Sequence, residues 1–483
     1  MTQPTPHTGP QDPLSYVVNF LEKANKDSLA SDVLDVFAAS AHNSSMNNQR
    51  PIEQFNLLAK LYLDVRNIPK AEAFALRVLS LAQSQEETYN ARANLAKLYN
   101  NINEGAKSLF QSNLNRLYTP NDPDTLLESV FSLYLLNRKK EAEQILRELK
   151  ANEDKLSEHH QDIVNFNLGT YDMEQGNFLE GLKGFMLKGR KLNIWFSPRQ
   201  LPYKFWDGGA YPGKTLILFA EGGGIGDEML SVRYMDDLKA IGFKPVFYTS
   251  RPDLCKIFNQ CGYETVMDLT GVPKDSLWTY FMQVPIYLES KAEDMVRSKY
   301  LFPSSEARNK WKGYSHPGAI RIGVRWQGNA KNERDLHRKV PLAGIMKTLH
   351  EVYDNSGLNV VYYSLQVGDG EEEAANYPEL KLPRYKFESY DDTMAFMENL
   401  DYVVTSCTSV LHASAIIGTK TLALVPISAY FTWVSPSPGN TSIWYPDNLQ
   451  VFKQVTPKLW DEPLLQMKAL LWDELCNMEL QAS

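Results

Sequence analysis

Residues 215–230 read TLILFAEGGGIGDEML, and the reading of this stretch decides the fold of all that follows it. The apolar run Thr215 to Ala220 leads into a glycine-rich turn, Glu221-Gly222-Gly223-Gly224-Ile225-Gly226-Asp227-Glu228. A short, continuous apolar run closed by glycines predicts a strand of a parallel sheet covered on both faces. Glycines at the strand-to-helix turn let the backbone approach a ligand at the carboxyl end of the sheet. The helix beyond is expected to turn Met229, Val232, Met235 and Leu238 inward. No Gly-Lys-Ser/Thr follows, so the turn is not a P-loop. Nor is it a dinucleotide fingerprint. The spacing is GxGxG, and the next strand ends Tyr248-Thr249-Ser250 with no acidic residue for a ribose. Two readings of Asp227 stay open: a helix-capping carboxylate in a tight turn, or a carboxylate at the mouth of a cleft, placed to accept a proton.

Working outward toward the C-terminus, further strands are expected at Pro245–Thr249, Ile320–Val324, Asn359–Ser364, Tyr402–Thr405 and Thr421–Val425, separated by helical stretches. Such alternation predicts doubly wound parallel sheets. About 100 residues precede Pro303–Pro317 and about 140 follow, each enough for one lobe. Two facing lobes make a cleft. The second lobe opens with Ile322-Gly323-Val324-Arg325-Trp326-Gln327-Gly328-Asn329, a strand running into a basic loop with Lys331, Arg334, His337, Arg338 and Lys339. Cations directly after a strand's carboxyl end suit a diphosphate, and Arg325 and Arg338 are the leading candidates. Further on, Val403 to His412 reads as a strand, a hydroxyl-rich turn and a helix start. Backbone N–H groups, hydroxyls and the helix dipole favour phosphate there, with Thr408, Ser409 and His412 nearest. The competing reading is a plain Ser/Thr cap with His412 packed inside the lobe.

Toward the N-terminus, residues 14–195 are almost all helical in pattern. Tyr62, Tyr99, Tyr134 and Tyr171 recur at intervals of 37, 35 and 37 residues. Each is followed by a small residue on a second helix: Ala71, Ala106, Ala142 and Gly181. The period is near that of a tetratricopeptide repeat, in which one helix pair cannot bury its face alone and must stack. A non-repeating helical bundle is the alternative. Residues 196–213, rich in Pro, Gly and aromatics, read as an ordered linker, residues 1–13 as a polar tail, and 456–483 as a C-terminal helix.

The 483 residues carry 22% charged side chains and a net charge of −8, which argues against a generic nucleic-acid surface. Met1 to Pro13 has neither the basic start nor the apolar core of a signal peptide, and no stretch is apolar enough to span a bilayer. The cysteines Cys255, Cys261, Cys407 and Cys476 form no CxxC pair. A cytoplasmic location is the expectation.

Over Pro202 to Gln454 the chain resembles the bacterial tetratricopeptide-repeat glycosyltransferases, relatives of the lipopolysaccharide heptosyltransferases and, more distantly, of O-linked N-acetylglucosamine transferases. The resemblance is carried by Trp206-Asp207-Gly208, AEGGGIGDEML, Met282-Gln283-Val284-Pro285, Arg338-Lys339-Val340-Pro341-Leu342, Ser364-Leu365-Gln366, Ser389 to Thr393, Trp444-Tyr445-Pro446 and Val451-Phe452-Lys453-Gln454, in that order. It implies helical repeats followed by a GT-B domain of two Rossmann-like lobes, residues 214–310 on the acceptor side and 318–455 on the nucleotide-sugar side. It further implies sugar transfer from a nucleotide-diphosphate sugar to a protein, glycan or modified nucleobase, with no metal and no cofactor, and inversion at the sugar carbon. Asp227 matches the family's base. Gly224, Gly226, Arg325, Asn329, Arg338, Gln366, Thr408, Ser409 and His412 fall at positions for the nucleotide-sugar. Cys407 stands where the family's phosphate-binding turn carries an aspartate. The rival expectation is a protein-binding scaffold, its repeat surface holding a peptide, with an inactive transferase domain.

Overall fold

Eight helices fill the described part of residues 52–192: α1 (Ile52–Asp64), α2 (Ile68–Leu81), α3 (Gln85–Asn101), α4 (Gly105–Arg116), α5 (Pro123–Leu135), α6 (Lys139–Ala151), α7 (Glu158–Glu174) and α8 (Phe178–Leu192). The structure, a computed structural model, describes Asp35, Ala38 and residues 52–65, 67–192, 201–220, 224–290, 294, 296–297, 299–314, 318–329, 335–428, 431–433 and 441–482. The predicted tail 1–13 lies outside the described residues, as do Glu221, Gly222, Gly223, Lys331 and Arg334. Among the described residues no helix is long and apolar enough to cross a membrane.

The chain divides into two compact units, Met1–Ser132 and Leu133–Ser483, so the division falls inside the region read as one helical domain. In the first unit, local signals start the helices. Asn67 caps α2 by accepting the Lys70 N–H, and Ser84 caps α3 by accepting that of Glu87. The recurring tyrosines are core residues: Tyr62 and Tyr99 are buried with Leu58, Ala71, Leu95 and Leu98. Each hydroxyl donates to a carboxylate 27 residues earlier, Tyr62 to Asp35 at 2.5 Å and Tyr99 to Glu72 at 2.9 Å. Of the predicted small residues, Ala71 and Ala142 are fully buried. Ala106 is exposed and its neighbour Gly105 takes the buried position, a shift of one residue that turns the side chain off the inward face of α4.

In the second unit, α7 and α8 touch backbone to backbone. A Cβ on Gly181 would lie 2.4 Å from the Gly169 carbonyl oxygen. Phe178, Leu182, Phe185 and Met186 of α8 share one apolar core with the α/β lobes. The first lobe holds β1 (Lys204–Phe205), β2 (Thr215–Phe219), β3 (Lys244–Tyr248), β4 (Thr265–Val266) and β5 (Leu277–Tyr280). These are parallel in the order β1-β5-β2-β3-β4, with α9 (Ile225–Ser231), α10 (Tyr234–Ala240), α11 (Pro252–Gln260) and α12 (Gln283–Tyr287) between them. Lys204-Phe205, inside the stretch read as linker, pairs with Leu277-Trp278 and so belongs to this sheet. Met229, Val232, Met235 and Leu238 are all fully buried as expected, though α9 and α10 are separate helices broken around Val232-Arg233.

The second lobe comprises α13 (Ser305–Trp311), β6 (Ala319–Arg325), α14 (Asp335–Arg338), α15 (Leu342–Tyr353), β7 (Asn359–Ser364), β8 (Leu380–Lys381), α16 (Tyr390–Met397), β9 (Tyr402–Ser406), α17 (Ser409–Ile417), β10 (Lys420–Val425), β11 (Leu449–Lys453) and α18 (Asp461–Ala482). Its sheet is also parallel, in the order β11-β10-β9-β6-β7-β8. Helix α18 covers it through Leu464, Met467, Leu471 and Leu475. A helical N-terminal region and two parallel-sheet lobes are consistent with the GT-B-like arrangement expected. Strand order reverses between β2 and β5 in the first lobe and between β6 and β9 in the second. Ligands of open parallel sheets bind at the carboxyl ends beside such reversals.

Candidate functional site

β2 ends at the first reversal, and Asp227 stands in the first turn of α9. Gly224 precedes the helix in extended backbone, and its N–H donates to Asp227 Oδ2 at 2.6 Å. Asp227 Oδ1 makes no hydrogen bond among the described residues. Burial pushes the carboxyl from 3.8 up to about 6, against the Gly224 bond and the nearby Arg251 cation, which both lower it. Helix-capping and base-like readings of Asp227 are therefore compatible in one side chain, with one oxygen for each. The next carboxylate is committed elsewhere: buried Glu228 is bonded to the Thr249 hydroxyl and ion-paired with Arg251 at the end of β3.

In the second lobe, β9 ends in Ser406 and the chain turns through Cys407 and Thr408 into α17. Helix α9 packs directly on α17. A Cβ on Gly226 would meet His412 Cδ2 at 2.5 Å and Nε2 at 3.1 Å, so only glycine allows this approach. Thr408 Oγ1 lies 3.3 Å from Thr405 Oγ1 and does not cap α17, which leaves the first-turn N–H groups to other acceptors. Ser409 Oγ is bonded to the Tyr390 hydroxyl. From the β6 side, Arg338 lays its guanidinium over Gly328, where a Cβ would lie 2.4 Å from Nη2. Its Nη1 donates to the Cys407 carbonyl at 3.4 Å. Burial raises the Cys407 thiol, Asp227 adds to the rise, and Arg338 and a bond from Trp433 oppose it. Asp227, Arg338, Cys407 and His412 thus share one neighbourhood.

Two of the candidates make their contacts within the protein. His412 is packed inside the lobe, the competing reading of the sequence. It is buried, with Nδ1 3.1 Å from the Tyr445 hydroxyl and its ring 4.6 Å from that of Trp433. Burial, with repulsion from Arg233, lowers its pKa to about 3, so the imidazole is neutral. Gln366 is likewise engaged within the protein. Its Oε1 accepts from the Trp326 and Gln327 N–H groups, and its Nε2 donates to the Gln327 and Asp369 carbonyls at 3.2 and 2.7 Å. Both lone-pair directions and both protons are used. Gln366 instead stitches the loop after β7 to the loop after β6 and holds the Gly328 cradle in place. Arg325 donates to the Leu365 carbonyl at 2.9 Å, and Asn329 is exposed at the loop's edge.

No protein-family model matches the chain, and no curated protein matches it in sequence. Among solved structures it is similar to a glycosyl transferase family 9 protein from Veillonella parvula, with 11% identity, a TM-score of 0.38, and coverage of 54% of this chain and 98% of that one. It is also similar to an O-GlcNAc transferase mutant from Thermobaculum terrenum, with 11% identity, a TM-score of 0.32, and coverage of 88% and 92%.

Sequence reasoning missed the group that joins the lobes. Arg233, 1% exposed, lies where α9 breaks into α10. Its guanidinium sits 4.9 to 5.4 Å from the rings of Tyr445, Tyr300 and Trp444 and donates to the Tyr300 hydroxyl at 3.1 Å. Tyr300 donates onward to the Met229 carbonyl, and its hydroxyl lies 3.4 Å from that of Tyr445, the partner of His412. A buried guanidinium over three aromatic faces is held by cation–π attraction where water cannot compete. The only signal in the sequence was an arginine inside an apolar helical stretch.

Proposed function

We propose that the protein is a glycosyltransferase that moves a sugar from a nucleotide-diphosphate donor to an acceptor hydroxyl or amide, with inversion and without a metal. The observation that carries this reading is the pairing of groups from the two lobes. A carboxyl with its pKa near 6 shares its surroundings with Arg338 and the start of α17, each at the reversal of its own parallel sheet. The acceptor's proton passes to Asp227 Oδ1 as its oxygen or nitrogen bonds to the sugar's anomeric carbon. The bond from that carbon to the diphosphate oxygen breaks, and the electron pair leaves with the diphosphate. Arg338, with Arg325 behind it and the first-turn N–H groups of α17, stabilises that charge in a site already shaped for it. Neutral His412 keeps α9 against α17, so base and leaving-group site stay in register.

The helical pairs, with their recurring buried tyrosines, are read as tetratricopeptide-like, and their surface is proposed to hold a peptide or protein. The test is a thermal-shift screen of the full chain against UDP-, GDP-, ADP-, CMP- and TDP-sugars, followed by transfer assays with the donor that binds. A ligand that binds only the native state raises its melting point. A donor that raises it and is turned over supports the reading; binding without transfer to any acceptor supports the scaffold.

A further inference from the structure

The end of β11 carries a charged cluster that the proposed chemistry does not use. Lys139, the first residue of α6, donates to Glu174 Oε2 at 2.5 Å, and Lys453, the last residue of β11, reaches Oε1 of the same carboxylate at 3.4 Å. The side chains of Lys139, Glu174 and Lys453 are 18%, 10% and 31% exposed. Two ammonium groups share one carboxylate, so a half-buried site holds one positive charge in excess. Desolvation first, then Lys453, lowers the Lys139 pKa to about 8 against the pull of Glu174. Glu174, which burial alone would raise, is held below its ordinary range by Lys453 and Lys139. Excess charge in such surroundings favours a second anion.

An independent observation marks the same place. The Tyr134 hydroxyl is buried, lies in the electrostatic field of Glu174 and, less strongly, of Glu143 and Asp172, and has no hydrogen-bond partner among the described residues. Tyr62 and Tyr99 each bond to a carboxylate 27 residues earlier. At Tyr134 the residue at that distance is Lys107, which pairs with Glu72. A buried hydroxyl without a partner is costly, and a ligand oxygen would satisfy it. The turn before α6 is pinned at this point, because Asn137 Nδ2 donates to the Val455 carbonyl at 3.1 Å. Arg138, which precedes α6, makes no side-chain cap, so the helix N-terminus adds to the positive potential. Strands β9, β10 and β11 are neighbours, so Lys453 lies roughly 10 Å along the sheet edge from the exit of β9.

We propose that Lys139, Lys453 and the Tyr134 hydroxyl form a second anion subsite, distinct from the Arg338 loop, that takes a compact oxyanion, a phosphate or a carboxylate. If the transferase reading holds, that group belongs to the acceptor, and the subsite selects acidic acceptors.

The experiment follows the side-chain ammonium resonances of the 15N-lysine-labelled full chain during titration with inorganic phosphate and, separately, acetate. The resonances of Lys139 and Lys453 should move saturably with the preferred anion, and the two arms tell phosphate from carboxylate. Lys453→Met should weaken that binding about tenfold or more. Glu174→Gln should tighten it by a similar factor, since the competing carboxylate is gone. Resonances that stay still in the wild type overturn the proposal even if either variant fails to fold. So does phosphate binding equally tight in wild type and Lys453→Met. The readout involves no nucleotide. Lysines that respond in a chain that binds no nucleotide-sugar would keep the subsite and remove the transferase reading, and the reverse result would do the opposite.

Discussion

At the scale of single residues the proposed chemistry turns on Asp227. A carboxyl with a pKa of about 6 is a better proton acceptor near neutrality than one at 3.8 and is still ionised there. Transfer should therefore fall about tenfold per pH unit below 6 and level off above it, in a kcat/KM profile. Asp227→Asn keeps the Gly224 bond but cannot take a proton, so the rate should drop by about 100- to 10,000-fold while nucleotide binding is unchanged. Stability should move the other way. The folded chain holds this proton more tightly than the unfolded one. The carboxyl's contribution is thus full below 3.8 and is lost as pH rises through 6. At pH above that window the Asn variant should melt no lower than wild type. A drop of several degrees would show that the ionised carboxylate stabilises the fold. On the opposite wall, Arg338→Ala should weaken nucleotide-diphosphate binding by about 1.5–3 kcal/mol in calorimetry. Unchanged affinity would move the leaving group elsewhere.

Elements were legible in the sequence where one pattern sufficed. Strands β2, β3, β7, β9 and β10 are short, mostly apolar runs, β6 is one interrupted by Arg321, and each lies within a residue of where it was expected at either end. The two-residue strands β1, β4 and β8 carry no pattern at all. Edge strand β11 mixes Gln450 and Lys453 with Leu449, Val451 and Phe452, and β5 is a four-residue run without a glycine turn. The bonds of Gln366 were not legible, because a strand's carboxyl end serves equally for holding a ligand and for tying two loops together, and only coordinates show which bonds it makes. The Arg233 cage was invisible because its rings come from Tyr300, Trp444 and Tyr445, far off in the chain. Element packing gives its own test in Gly226, which sets the distance between α9 and α17. Gly226→Ala places a methyl 2.5 Å from the His412 ring and should separate the helices. The expected cost is about 1–3 kcal/mol in denaturant unfolding, with weaker donor turnover. Unaltered stability and turnover would mean that the helices are not in firm contact.

For the whole molecule, the order in which contacts can form follows from the tyrosine pairings. A bond that reaches back only 27 residues is complete soon after its second helix is made. The bond from Arg233 to the Trp444 carbonyl spans 211 residues and waits for almost the entire chain. Local contacts close quickly and distant ones slowly. During synthesis the helical pairs of the first unit should therefore be protease-resistant while the α/β lobes are still open, since domains mature from the N-terminus. Chains arrested before Trp444 should show this by limited proteolysis, with the first-unit helices intact and the 201–440 region cut. Equal sensitivity throughout would contradict it. Until Tyr300, Trp444 and Tyr445 arrive, the Arg233 guanidinium stays in water, and the first lobe has a charged group where its finished form is dry. The first lobe thus carries its own timer: it cannot be finished before Trp444 and Tyr445 have left the ribosome.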